Sequence, residues 1–216
     1  MRIGTWNLAG RWSPEHAGLL QRQECDLWLL TEVPDRLSLD GWTVHRTQAE
    51  MSPGRAWAAV AAPVLQPQPD PHPASAAALV DGRYVCSTVL PWRACGTEPP
   101  WRGPLHADKV GAVMLDLRAA WPGGELVWGG DWNTALDGPE RAGSRKGRAH
   151  VLSAVDDHGL QVPTADLPHR LDGCLSIDHV AVPRPWAVRS AQRVDATGLS
   201  DHDAYVVEAE PAQSGT

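Results

Sequence analysis

"ELVWGGDWNTALDG", residues 125–138, is the stretch on which the fold turns. It opens as an apolar run preceded by Pro122 and Gly123, which reads as a buried strand. Asp131 and Asn133 then stand two residues apart where that strand should stop. Side chains two apart on a strand share a face, so Asp131 and Asn133 are expected to point one way and Trp132 back into the core. Gly129 and Gly130 are expected to let the backbone pass close to something. Asp and Asn are common at strand ends as turn residues, so a single occurrence says little. Repetition says more: Asn7 in "GTWNLA", Glu32 in "WLLTEV" and Asp178 in "SIDHVAV" also sit at the ends of apolar strands, and Asp201 and His202 in "LSDHDAYVVE" stand just before one.

Working outward, the chain reads as strand-rich with a few helices. "RIGTWNLA" and "DLWLLTEV" are strand candidates separated by a helix, in which Ser13 is the N-cap, Pro14 the first-turn proline and Glu15 the first-turn acid, running to about Gln23. "WTVHR", "AWAAVAA", "AAALV" and "RYVCSTVL" add short strands, and the proline run Pro67–Pro73 between them reads as a stiff loop. Val110, Val113, Met114, Leu117 and Trp121 recur on one helical face closed by Pro122-Gly123, predicting a helix over 106–121 that packs on a sheet. Arg148 to Asp157 is a second helix candidate, and "LSIDHVAV", "AVRSAQRV" and "DAYVVEAE" complete the strands. The pattern predicts an α+β sandwich in one domain over 1–210, with a frayed tail over 211–216.

Composition bounds the function. A net charge of -7 argues against affinity won by coating nucleic acid with Lys and Arg, though it leaves room for an enzyme with a local basic patch. Four Cys without a C-x-x-C pair, no secretory h-region and no apolar run near 18 residues lead to the expectation of a soluble cytoplasmic protein, not inserted in a membrane. Seventeen Arg against two Lys, and eleven Trp against no Phe, read as the codon bias of a high-G+C bacterial genome.

If the strand ends converge, Glu32, Asp131, Asp178 and Asp201 gather in one cleft. Two carboxylates about 4 Å apart repel by roughly 4 kcal/mol at an effective dielectric near 20. Such a cluster persists only with a proton or a cation in it. Oxygen ligands without Cys suit Mg²⁺ or Mn²⁺, and Mg²⁺ commonly completes its shell with a substrate phosphate.

"TWNLAG", "LLTEV", "GGDWN", "IDHV" and "LSDHDAYVV" follow in the order and at about the intervals of the endonuclease/exonuclease/phosphatase superfamily, which the chain resembles from Arg2 to about Glu208. That superfamily includes pancreatic deoxyribonuclease, the apurinic endonucleases and phosphodiesterases of inositol polyphosphates and sphingomyelin. The resemblance implies a four-layer α/β/β/α sandwich of two mixed sheets with outer helices and an active site at one rim. It implies that Asp131 orients or deprotonates the attacking water and Asn133 holds phosphate oxygens. Glu32 is then the main metal ligand with Asn7 and Asp201 beside it, and His202 contacts the phosphate, kept protonated by Asp178. The implied reaction is metal-dependent hydrolysis of a phosphodiester, with nucleic acid the largest substrate class in the family. The implied cofactor is Mg²⁺ or Mn²⁺.

One departure stands out. Where many members carry a second His or a Tyr, this chain has Val89. A second reading therefore stays open, a catalytically impaired member that binds a phosphorylated ligand or a protein partner. Trp92 and Arg93 follow closely and offer an indole face for a base and a guanidinium for phosphate. Arg145 and Lys146, in "ERAGSRKGR", are the candidate basic patch for a polyanion. Among the other histidines only His106, before the long helix, stands on the side where family members bring substrate-binding groups.

Overall fold

Strands β1 (Arg2–Asn7) and β2 (Leu27–Pro34) pair in parallel and alternate between two apolar layers in the computed structural model, which describes residues 1–211. Ile3, Leu27 and Leu29 face one layer, while Trp6, Trp28 and Leu30 face another that also takes Leu19 and Leu20 of helix α1 (Pro14–Arg22). Burial on both faces is why these strands read as continuous apolar runs. The first sheet continues through β3 (Thr43–Arg46), β4 (Glu50–Ser52), β5 (Arg55–Ala62), β12 (Ala187–Val194) and β13 (Ala204–Glu210), in the order β12-β13-β1-β2-β5-β3 with β4 on β5.

The second sheet has the order β10-β11-β9-β8-β7-β6. Its strands are β6 (Gln66–His72), β7 (Ser75–Val80), β8 (Arg83–Thr88), β9 (Leu126–Asp131), β10 (Leu160–Gln161) and β11 (Asp178–Pro183). Val85, Val127 and Val180 turn toward the first sheet and join Ile3, Leu27 and Leu29 in the central layer. Cys86, Trp128 and Ala181 turn outward against Val113 and Leu117 of helix α2 (His106–Ala120) and Val151 of helix α3 (Arg145–Asp157). The result is the four-layer sandwich that the family resemblance implied, two mixed sheets with helices outside.

Three local expectations differ. The proline run is a strand, not a stiff loop: Gln66, Pro67 and Gln68 pair with Leu79, Ala78 and Ala77 at the sheet edge. Prolines are tolerated there because β6 is an edge strand whose pairing is interrupted by a register shift between Gln68 and His72. Helix α3 starts at Arg145 instead of Arg148, because Ser144 caps it by accepting a hydrogen bond from the Gly147 N–H at 3.1 Å. Strand β9 ends at Asp131, so Asn133 is placed by a turn and not by strand alternation. Of the tail expected to fray, 212–216 lies outside the described residues.

The close approach expected at Gly129 and Gly130 is to neighbouring backbone. Gly130 has φ 120°, and a Cβ there would lie 2.2 Å from the Thr88 carbonyl oxygen. Gly130→Ala is expected to destabilise the protein by roughly 3 kcal/mol, from left-handed strain plus overpacking. Urea unfolding checks it, and a midpoint equal to wild type would show that β8 and β9 can part at no cost.

Candidate active site

The central strands of both sheets end at one rim. Asn7 is the last residue of β1, Asp131 the last of β9, and Glu32 lies near the end of β2. The antiparallel neighbours begin where these strands end, so Asp178 opens β11 opposite Asp131, and the loop before β13 carries Asp201 and His202 to the same place. Topology therefore assembles residues 7, 32, 131, 178 and 202 from five separate segments.

Hydrogen bonds join them. Asn7 Nδ2 donates to Glu32 Oε1 at 3.1 Å and to Asp131 Oδ2 at 3.0 Å. The other oxygen of Asp131 accepts the Asn133 backbone N–H at 2.9 Å, while Asn133 Nδ2 donates to the Leu90 carbonyl at 3.0 Å. Glu32 and Asn133 both adopt left-handed backbone, φ 50° and 49°, a strain that clusters at functional positions. His202 Nδ1 lies 2.8 Å from Asp178 Oδ2, and its loop is tied down by Ser200, whose hydroxyl donates to the Asn7 carbonyl at 2.7 Å.

The charges are arranged as a chain of opposites. Burial disfavours the His202 cation, but the carboxylates of Asp178 and Asp131 outweigh it and push the imidazole up to about 10. Burial and the nearby Asp178 raise the Asp131 carboxyl well above the ordinary carboxylate range. Ligand atoms of Asp131, Asp178 and His202 lie within 4.8 Å of one another. A protonated imidazole therefore sits among the acids that the sequence brought together, and Glu32 has a cation of its own, Arg55 Nη1 at 2.8 Å from Oε2. The repulsion expected from the acids alone is met in part by this chain's own groups. Glu32 still has free lone pairs, and Asp178 Oδ1 is buried with no hydrogen-bond partner among the described residues, so an all-oxygen set for a hard cation remains open.

Asp201 is exposed, and its carboxylate accepts only the Ser200 hydroxyl at 3.4 Å, with no bond to Glu32 or Asn7 among the described residues. Arg145 and Lys146 occupy the exposed first turn of α3 and bond none of the site residues. Trp92 and Arg93 lie on the turn that follows Leu90. Val89 is 2% exposed and packs in the core under α2 and α3, so a histidine there would enter that core instead of the site.

The match to the endonuclease/exonuclease/phosphatase family runs over residues 4–202, almost the whole chain. The chain belongs to that family. Among solved structures, its fold is similar to the endonuclease domain of the telomere-specific retrotransposon TRAS1, with a TM-score of 0.67 at 14% identity over 98% of both chains. It is similar also to the AP endonuclease LMAP of Leishmania major, TM-score 0.65 at 12% identity over 95% of this chain and 86% of that one. A third likeness is an endonuclease/exonuclease/phosphatase protein of Beutenbergia cavernae, TM-score 0.64 at 15% identity over 98% of this chain and 71% of that one. No curated protein matches the sequence.

Within this family member, three features of the site escaped the sequence. Arg55 opens β5 beside Pro34 and reaches Glu32, which no local motif announces. His179 is fully buried, donates from Nε2 to the Thr134 carbonyl at 3.0 Å and so braces the turn that carries Asn133; burial first of all pushes it down to about 4. An apolar pocket of about 140 Å³, lined by Ala135, Leu171, Leu175, Ile177 and His169, adjoins the Asp178–His202 pair, the rings of His169 and His202 being 6.4 Å apart. Its residues lie in two irregular segments, the loop between β9 and α3 and the stretch before β11, where periodicity carries no signal.

Proposed function

We propose that this protein is a divalent-metal-dependent phosphoesterase that hydrolyses a phosphodiester, with nucleic acid as the substrate class. The observation that carries it is the His202–Asp178 pair at 2.8 Å facing a buried Asp131 whose proton affinity lies above that of an ordinary carboxylate. An acid of that kind is well matched to take a proton from water near neutral pH. Asp131 orients and deprotonates the attacking water. His202, held protonated by Asp178, and the Asn133 amide donate hydrogen bonds to phosphate oxygens as charge builds on them. Glu32 and Asn7, with Asp201 at the rim, hold the Mg²⁺ or Mn²⁺ ion, which when bound stabilises negative charge on the phosphoryl oxygens. Nucleic acid is favoured because two of the similar structures are named endonucleases. The second reading, a binding protein without turnover, rests on Val89, and Asp131, Asn133, Asp178 and His202 in hydrogen-bonded order weigh against it.

The test is turnover of a small phosphodiester, a small monoester, plasmid DNA and single-stranded RNA with Mg²⁺, with Mn²⁺ and with chelator. Diester turnover lost on chelation is the expected result; turnover indifferent to chelator would end the metal-dependent part of the proposal. Binding can be read apart from activity. Saturating Mn²⁺, at about 100 times its dissociation constant, should add about 2.7 kcal/mol of stability, a rise of roughly 5 to 10 °C in Tm. Glu32→Gln should remove most of that rise, and an undiminished rise would take Glu32 out of the metal site.

A further inference from the structure

The turn Pro91–Cys95 is built like an instrument and not like a loop. It is rooted on the site: Leu90 donates its N–H to the Asp131 carbonyl at 2.9 Å, and the Leu90 carbonyl accepts from Asn133 Nδ2 at 3.0 Å. Its two ends are buried and its middle, Trp92, Arg93 and Ala94, is exposed. The first turn of α2 grips both ends. His106 Nε2–H donates to the Pro91 carbonyl at 2.9 Å, and Lys109, one helical turn on and therefore on the same face, donates from Nζ to the Cys95 carbonyl at 2.7 Å. The Cys95 N–H closes the turn on the Trp92 carbonyl at 3.0 Å.

Lys109 is only 4% exposed and this carbonyl is its hydrogen-bond partner. A buried ammonium is a costly way to hold a surface loop, and a neutral donor would serve if shape alone mattered. His106 is equally committed. With Nε2 donating, the neutral ring must accept at Nδ1, and the Ser144 hydroxyl supplies that bond at 2.8 Å while its oxygen accepts the Gly147 N–H. One imidazole thus joins the turn to the cap of α3. At the tip, Trp92 stands edge-on to the buried Trp101, ring centroids 6.1 Å apart, and Trp101 is itself packed between Trp57 and His72. The exposed indole has a rigid aromatic base under it. Arg93 reaches across to the Glu140 carbonyl at 3.1 Å, on the loop that leaves the Asp131–Asn133 turn.

We infer that Pro91–Cys95 is a pre-set substrate arm that takes one nucleotide beside the scissile phosphate, with Trp92 stacking on the base, Arg93 on the backbone phosphate, and His106 and Lys109 as positioning residues. The inference rests on the phosphodiesterase reading for its substrate class. An indole and a guanidinium on a fixed turn suit a strand whose bases are accessible, since stacking is open to any base and the guanidinium to any phosphate.

The experiment is fluorescence anisotropy of a labelled single-stranded 20-mer, without metal, alongside turnover of bis(p-nitrophenyl) phosphate, which has no base. Trp92→Ala and Arg93→Ala, both at exposed positions, should each weaken binding about tenfold, and Arg93→Ala should also lower the slope of log Kd against log salt by about one. Lys109→Met and His106→Leu, measured well below their melting temperatures, should weaken it about fivefold, with His106→Gln, which keeps an N–H donor, restoring most of the loss. In all of these the ratio of oligonucleotide to small-diester kcat/KM should fall. Wild-type affinity in Trp92→Ala, or in both Lys109→Met and His106→Leu, overturns the arm. So does a wild type that cleaves the small diester without binding the 20-mer, which leaves the phosphodiesterase reading intact. Binding that falls in the variants of a protein that cleaves neither substrate supports the arm and sinks the catalytic reading instead.

Discussion

Asp131→Asn is expected to lower kcat on a phosphodiester by about 10³-fold, the scale of removing a positioned general base, with KM and Mn²⁺ binding little changed. The substitution is isosteric and the site around it is tight: Asp131 is 2% exposed, accepting from Asn133 on one oxygen and from Asn7 on the other. The new amide can keep the bond from Asn133 but meets Asn7 Nδ2 donor to donor, which costs about 1 kcal/mol. Against that, removing a buried carboxylate relieves its repulsion with Asp178, so the Tm should stay close to wild type. Single-turnover kinetics with a fixed metal concentration is the measurement. Retention of more than a tenth of the wild-type rate would take Asp131 out of the proton transfer.

The second large effect is at Asp178. In Asp178→Asn, His202 loses the carboxylate 2.8 Å away that does most to hold its proton against burial. Activity that needs the imidazolium should then fall about 10²-fold near neutral pH, and its high-pH limb should move to lower pH by more than one unit. The same shift predicts a stability change in the metal-free protein. His202 binds its proton more tightly folded, about 10, than unfolded, about 6.5, so the native state holds more protons between those values and stability falls as pH rises through them. The raised Asp131 carboxyl acts in the same direction at lower pH, between its unfolded value and its folded one. Urea unfolding in chelator from pH 6 to pH 10 should show wild-type stability declining by on the order of 3 kcal/mol, with a much flatter profile in Asp178→Asn. Parallel profiles for the two proteins would mean that Asp178 does not govern the His202 proton.

Some of this site was legible because its causes are local. The strands of "RIGTWN", "LWLLTEVP" and "LVWGGD" follow from apolar runs buried on both faces, α2 from Val110, Val113, Met114 and Leu117 on one stripe, and the rim residues from polar groups at strand ends. Asn7, Glu32, Asp131, Asn133, Asp178 and His202 were all named from that pattern and the family resemblance, and the fold brings them together. The edge strand β6 was not legible, because proline in sequence signals a break, and only its pairing with β7 reveals a strand there. The pocket beside His169 and the grip of His106 and Lys109 on the Pro91–Cys95 turn were hidden for a related reason: each depends on an irregular segment meeting residues distant in the chain.

The sequence by itself determined most of the strands and helices, the α+β sandwich, and which polar groups leave the core at the strand ends. Periodicity and turn chemistry act over a few residues, and the chain carries that information directly. Only the tertiary structure decided that Arg55 belongs to Glu32 and that Val89 is a core residue, and it set at 2.8 Å the His202–Asp178 pair that the family resemblance implied. Those outcomes depend on distances of a few ångströms between segments that lie 23 residues apart in one pair and 24 in the other. Coulombic and desolvation energies vary steeply over such distances, whereas separation along the chain does not report them.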